Sequence, residues 1–557
     1  MLPKPDALLA SCNNENNERG TMATAPSDSA RAPSRIGAYA WYALFVFVIV
    51  YAVNFIDRQI LSILVGDIKR DLNVSDAQIG FLYGTAFAVF YALFGIPLGR
   101  LADSWYRGRL MAMGLALWSS MTAFSGFAST FAMLAAARIG VGIGEASASP
   151  AAYSMISDYF PKERRATALS IYSSGLYIGG GLSLPIGGFV VSRWNAAYPD
   201  VAAAPLGLAG WQAAFIAVGL PGLLLALWVL SLREPLRGQS DGMPQPVARP
   251  GAWREFGQEL MAILPPLTLF SVARFPGELP RNLVVLAVVA AAATGLIWLT
   301  GDLPQWLAYG LGVYAVFSWI QSLKHRDPPT YRLIWGTPAV VALTIAFGSI
   351  SFVTYATSFW IPYFVEQTFY AGPMAPAAFL GGTTAKEEVG IIVGWGGALS
   401  AAAGVILGGY ASDRWREHDP RGRIFVNMIS ALVPLPLVAF MLTTDNLSAF
   451  YIVFPIAHIF ASAWVGAAVA TLQDLVLPRM RGTAGATYIL GTTMVGLALG
   501  PYYAGKMSVL TGELQLGIAA LYLMPPLTVL GLWFGGRHIA MLEATKVDRA
   551  REAGEAI

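Results

Sequence analysis

The chain has 557 residues, 56% of them hydrophobic and 12% charged, with a formal net charge of +3. Soluble domains carry about 25% charged residues, so this composition excludes an ordinary soluble domain and identifies a polytopic membrane protein. The charge balance offers nothing to nucleic acid, and a single cysteine, Cys12, allows no intrachain disulfide.

In chain order, residues 1–38 are polar, rich in Asn, Ala, Ser and Pro, and lack the apolar core of a signal peptide. They are expected to form a disordered cytoplasmic tail. Apolar runs long enough to cross about 30 Å of hydrocarbon follow near 39–64, 78–101, 109–129, 131–157, 165–191 and 211–232. A second set falls near 337–365, 389–411, 423–443, 447–474, 483–509 and 515–536. Between the sets, 233–336 holds two more apolar runs, near 283–300 and 304–323. Pro-rich 243–250 and basic 324–332 flank them as linkers. The expected fold is all-α: a six-helix bundle over 39–232, a linker over 233–336 with an extra helical hairpin, a six-helix bundle over 337–540 and a cytoplasmic tail over 541–557. That makes about fourteen spans.

Lys and Arg crowd the 2–3 loop (Arg100, Arg107, Arg109), the 4–5 loop (Lys162, Arg164, Arg165), the 8–9 loop (Arg414, Arg416, Arg421, Arg423) and the 10–11 loop (Arg479, Arg481), with loops numbered by the six-plus-six spans. The opposite loops hold few. Cytoplasmic loops are the basic ones, so both termini are expected in the cytoplasm. The halves also repeat. GRLAD ends the second span at Asp103 and GGYASD the eighth at Asp413, while SDYFPKERRATA and QDLVLPRMRGTA leave the fourth and tenth spans. Parallel repeats of this kind are a transporter architecture. Gly175, Gly179 and Gly187, with Gly496, Gly500 and Gly505, are expected to let helices approach closely, and Pro185 and Pro501 to bend them.

Charges inside the apolar runs are the chemical signal. Asp57 and Arg58 lie in the first span, and Arg138 and Glu145 in the fourth. Arg138 and Glu145 are seven residues apart, about two helical turns and roughly 10 Å along the axis. An ionisable group at membrane depth is costly and marks a cavity or an ion path. A carboxylate that titrates can couple transport to a proton, since burial raises its pKa and a nearby Arg lowers it. Glu145 is expected to be the principal proton switch, held charged in one state by Arg138, with Asp57 as a second titrating group and Arg58 its modulator. In the second half Phe454 and Ala461 stand where Arg138 and Glu145 stand in the first. A cavity charged on one wall and apolar and aromatic on the other is therefore expected, drawing on Asn54, Tyr355, Trp360, His458, Trp464, Tyr488, Thr492 and Met494. Asp103, Arg107, Arg164, Arg165, Asp413 and Arg414 are expected to form a gate that closes the cytoplasmic side.

The doubled G-x-x-x-D loops, the R-x-x-x-G-x-G-E of the fourth span and the Gly/Pro-rich fifth span resemble the major facilitator superfamily over roughly 39–232 and 337–536. More narrowly, NFIDRQ, VSDAQIGFLYGTAF, GVGIGEASASPAAYSMISDYF and LREPLRG resemble the Spinster-like family. The resemblance implies proton-linked or facilitated movement of lysolipids, sphingoid phosphates or related amphiphiles. Ser104 departs from the Arg that usually follows Asp103, and the insert 233–336 is also unusual. Sugar-acid symporters share a similar Asp-Arg pattern, and drug–proton antiport is the other rival within the superfamily. A membrane-embedded enzyme is the weak alternative, because the sequence has no P-loop, HExxH, CxxC or GxSxG. The expected partners are an amphiphilic substrate and membrane lipids, with a proton as coupling ion, no cofactor or metal, and a monomer in a bacterial inner membrane.

Overall fold

The computed structural model describes residues 36–241, 250–371, 380–381 and 383–555. The expected disordered tail (save 36–38) and the Pro-rich 243–249 lie outside the described residues. Every regular element among the described residues is helical. Twelve helical segments are long and apolar enough to cross a membrane. Two more, of 19 and 24 residues, are more polar but lie in the same bundle. The first half comprises α1 (Ala38–Leu72), α2 (Asp76–Ser104), α3 (Arg107–Ser125), α4 (Phe131–Tyr159), α5 (Thr167–Ala197) and α6 (Gly210–Leu230). The hairpin of the insert is α7 (Glu278–Thr300) and α8 (Leu303–Arg326). The second half comprises α9 (Pro338–Phe369), α10 (Ala385–Arg416), α11 (Gly422–Thr443), α12 (Leu447–Asp474), α13 (Pro478–Thr511) and α14 (Leu514–Ala544).

Several spans are broken, and the breaks track sequence. α4 is interrupted at Ala146–Ser147, immediately after Glu145. The glycines before the break bring backbones together: a Cβ on Gly142 would stand 2.5 Å from the Phe87 carbonyl oxygen of α2, and one on Gly144 2.8 Å from that of Gly114 on α3. Pro185 lies inside α5 as expected. Pro501 does not bend a continuous helix; it opens the last part of α13, after a π-helical turn at Thr492–Leu497. A proline lacks the donor that the first helical turn leaves unused.

The C-terminal tail is not loose. Residues Lys546–Glu552 form a helix, Ala550 is buried, and Arg479 pairs with Glu555 and with Asp327 of the insert.

The hairpin is closed by polar groups at one end. Asn282 donates to Ser318 (3.0 Å) and Gln321 (2.8 Å) and accepts from the Tyr314 hydroxyl (2.6 Å), while Glu278 accepts from Gln321 (2.6 Å) and Lys324 (3.1 Å). At its tip, Asp302 meets Lys506 (2.8 Å) and accepts from Tyr502 (2.8 Å), both on α13. Along its length, Ala315 and Trp319 of α8 pack with Val89 and Leu93 of α2 and with Leu490 and Met494 of α13. The insert thus fills the seam between the halves along α2 and α13. Met494, expected in the central cavity, lies under Gly312 of α8, where a Cβ would meet its methyl carbon at 2.6 Å.

Candidate functional site

The two halves meet tightly at the end away from the Arg-rich loops. There a Cβ on Gly80 would stand 2.4 Å from the Pro501 carbonyl oxygen, and one on Gly505 2.2 Å from that of Asp76. Across the same junction Ser508 donates to Asp76 (2.7 Å) and Thr85 to the Ala498 carbonyl (2.6 Å). Lys386 of α10 pairs with Asp67 of α1 and lies 3.4 Å from Glu366 of α9. Trp360 belongs to this closed end: its indole donates to the Pro501 carbonyl at 3.0 Å and it is fully buried, so it does not line the cavity as expected.

Toward the Arg-rich end the halves part around a central cavity of about 640 Å³, a volume within the range of about 300–1,000 Å³ typical of ligand sites. Its wall runs from Asn54 and Arg58 out to Gln473 and Gly485, near the 10–11 loop. Asn54, Tyr355, His458, Trp464, Tyr488 and Thr492 all contribute to it. His458 also borders a second, apolar cavity of about 40 Å³ between α9, α11, α12 and α14.

The intramembrane charges are close together but paired differently from expectation. Arg58 Nη2 donates to Glu145 Oε2 at 2.6 Å, and both groups are buried. The guanidinium lies over the rings of Phe55, Phe87 and Tyr91, with centroid distances of 4.8, 4.4 and 5.3 Å. Arg138 instead donates to backbone carbonyls, those of Asp57 (3.2 Å) and Leu82 (3.5 Å). The reason is axial distance: two turns of α4 separate Arg138 from Glu145, whereas Arg58 reaches Glu145 from a neighbouring helix. Asp57 does not line the cavity; its carboxyl group is fully buried beside Trp118 and Thr122. Among the described residues, Arg58 is the one side chain of Asp, Glu, Lys or Arg type in the cavity wall.

The charge lies on the first-half wall as expected, but aromatic rings line both walls. The first half adds Tyr51, Phe55, Tyr91, Tyr153 and Tyr177 alongside Arg58. The second half supplies Phe454, Trp464 and Tyr488, hydroxyls from Ser351, Thr354, Tyr355, Ser358 and Thr492, and small apolar residues of α10. The signal for the first group was present in α1: Tyr51, Asn54, Phe55 and Arg58 follow the i, i+3, i+4, i+7 spacing of one helix face.

The expected gate residues have partners near them in the chain or in the insert. Arg414 pairs with Glu417, Asp413 with Arg423 (3.1 Å), and Arg165 donates to Ser240 (2.9 Å). Asp103 and Arg164 are exposed. Arg107 is a correction: it is fully buried, pairs with Asp158 and Glu234, and donates to Ser154 (2.9 Å) and the Pro235 carbonyl (2.7 Å). It staples the start of α3 to the end of α4 and to the chain leaving α6. Breaking a buried charge network at one partner costs about 3–5 kcal/mol. Arg107→Ala is accordingly expected to lower the thermal midpoint of the purified protein strongly, whereas Arg414→Ala, at an exposed pair, should shift it little. Thermal unfolding of both variants by intrinsic fluorescence checks this.

A model of the Major Facilitator Superfamily matches residues 47–501. The chain belongs to the Major Facilitator Superfamily. Within that superfamily it is similar to Spinster proteins and to an efflux pump. Protein spinster homolog 1 of Homo sapiens is 26% identical over 473 residues, covering 84% of this chain and 73% of that protein. An MFS-type efflux pump of Mycolicibacterium smegmatis is 26% identical over 496 residues, covering 88% and 91%. Among solved structures, a bacterial homolog to the human lysosomal transporter Spinster, inward-facing and unoccupied, superposes with a TM-score of 0.62 at 24% identity, covering 93% of this chain and 97% of that one. This superfamily member is therefore a multi-pass transporter with the major-facilitator fold.

Proposed function

We propose that this transporter is a proton-coupled carrier of an amphiphile with an anionic group in its head, of the lysophospholipid or sphingoid-phosphate kind, working by alternating access. The observation that carries the reading is Arg58, the single Lys or Arg among the described residues of the cavity wall, with Glu145 bonded to it. A carboxylate and an incoming phosphate compete for one guanidinium, which suits planar, bidentate recognition of either. A proton on Glu145 releases Arg58 to the head group; loss of that proton draws Arg58 back to the carboxylate and frees the head group to leave. The apolar residues of α10 and the aromatic face leave room for a chain. The Arg-rich loops support a cytoplasmic open end of the cavity and cytoplasmic termini, and the membrane of this proposal is a bacterial inner membrane.

Drug–proton antiport is the reading that the efflux-pump relative supports, but a cationic drug would meet Arg58 and, among the described residues, no carboxylate in the wall. Uptake into proteoliposomes separates the readings. A labelled lysophospholipid is expected to accumulate when a pH gradient is imposed, and a small sugar acid or a lipophilic cation is not. Gradient-driven movement of the cation, with none of the lysolipid, would reverse the assignment.

A further inference from the structure

The two ends of the insert differ in charge. Its tip is neutralised by α13, whereas its base lies on the Arg-rich side, where Asp327, next after α8, meets Arg479 of the 10–11 loop at 3.0 Å. The chain reaches that base by a dip along α2. The helix Ala252–Ile263 begins with Ala252 packed with Leu101 and Ala102 and ends with Ile263 packed with Ala92 and Leu93. Leu93 is eight residues from Leu101, about 12 Å further from the Arg-rich end. The chain then turns at Pro265–Pro266 and returns through a short helix, Leu267–Val272, to the start of α7.

The returning limb is greasy first and basic next. Phe270 is 68% exposed. Arg274 follows one turn later and Arg281 stands in the first turn of α7; both are exposed, and neither pairs with an Asp or Glu among the described residues. The acid at the base, Glu278, is already bonded by Gln321, Lys324 (3.1 Å) and His325 (2.9 Å), and the His325 ring stacks on Phe275. The next acid, Glu259, is held by Arg326 at 2.8 Å. Arg274, Arg281 and Lys324 thus face one carboxylate. Directly beyond Arg281, α7 turns apolar from Leu283 to Leu299 save for Thr294, and its buried residues are Glu278 and Asn282 alone. Lipid chains therefore cover that face, and the arginines stand where it ends, at head-group level. Basic pockets at this depth hold anionic lipid heads, and guanidinium groups suit a phosphodiester better than an ammonium would.

We propose that the base of the insert is a binding site for an anionic two-chain membrane phospholipid. Its phosphate lies on Arg274 and Arg281, and its chains lie against Phe270 and the uncovered face of α7. The site is on the outside of the bundle, so this inference is independent of what the central cavity carries.

Native mass spectrometry of the full chain released from detergent tests it. The probes are dioleoyl phosphatidylglycerol and dioleoyl phosphatidylethanolamine, offered together. The native protein is expected to retain the phosphatidylglycerol in preference. Arg274→Gln/Arg281→Gln should lower that preference by about thirtyfold, the scale of about 1 kcal/mol for each arginine at a membrane surface. Arg421→Gln/Arg551→Gln, which removes the same charge from two exposed arginines that pair with Asp419 and Asp548, should keep it. Each preference is a ratio within one sample, so partial unfolding cancels. Equal retention of the two lipids by the native protein, or a preference that survives in Arg274→Gln/Arg281→Gln, would overturn the site. Equal losses in both double variants would reduce it to bulk charge and overturn it as well. A dimer lost in the first variant, with no lipid preference, would assign the surface to a second copy of the chain instead.

Discussion

Glu145→Gln is expected to reduce pH-gradient-driven accumulation of substrate by at least about tenfold, to the level reached without a gradient, while equilibrium binding survives. A glutamine holds the site in an uncharged form, and one lost charge-assisted bond of this kind is worth about 1.5–3 kcal/mol, or tenfold and more in an equilibrium. Arg58 then stays available to the head group in every state and no longer reports the proton. Arg58→Ala is expected to be worse in a different way. It removes the one Lys or Arg among the described residues of the cavity wall and leaves Glu145 buried without its ion-pair partner, a loss of about 3–5 kcal/mol where a buried pair is broken at one side. Binding and thermal stability should fall together. Uptake with and without a gradient, measured beside lysolipid binding, distinguishes the two variants. Native-like accumulation in Glu145→Gln would remove this carboxyl from coupling.

The second large effect concerns the closed end. Gly80→Leu places a Cβ 2.4 Å from the Pro501 carbonyl oxygen and 2.7 Å from the Tyr502 Cα, backbone atoms of the other half that cannot swing aside. Overpacking costs about 1–3 kcal/mol. Here that cost falls only on the conformation in which α2 and α13 touch, so the populations should shift by about ten- to a hundredfold toward the opposite one. Leu176 lines the cavity. A cysteine placed there, with Cys12 replaced by serine, should become reactive to an impermeant thiol reagent from the side opposite the Arg-rich loops. Transport should drop, because a carrier held in one conformation does not cycle. Unchanged labelling from both sides would show that this contact does not hold the closed end.

Much of this architecture could be read from residue patterns. Long apolar runs, doubled loop motifs and basic loops delimit the spans and the halves, since each reports a constraint that lipid imposes on every helix. The four intramembrane charges stood out for the same reason. Their pairing did not, because which arginine reaches Glu145 depends on how α1 and α4 are rotated and offset, and axial spacing along α4 alone says nothing of a neighbour. Trp360 and Met494 were misplaced for a related reason. A span that is apolar all round has no polar face to fix its rotation, so an aromatic or methionine in it points equally well to cavity, partner helix or lipid. The aromatic residues of the first-half wall differ in this respect: Tyr91 sits in a span with no charged residue within two turns to mark its facing side, whereas Tyr51 shares a helical stripe with Arg58 and Tyr153 follows Glu145 by eight residues, about two turns, so both could have been found.

The hairpin packed along α2 and α13 has a consequence for how the resting state is chosen. α8 touches Val89 and Leu93 on one half and Leu490 and Met494 on the other, and its tip is tied through Asp302 to Lys506. When the halves rotate apart, a rigid hairpin can travel with only one of them, and its contacts to the other must be given up and remade in each cycle. The insert therefore acts as ballast on one arm of the balance: its bonds add to the stability of the arrangement seen here and to the height of the step that leaves it. A carrier without such an insert has to set the same preference through the facing surfaces of its two halves alone.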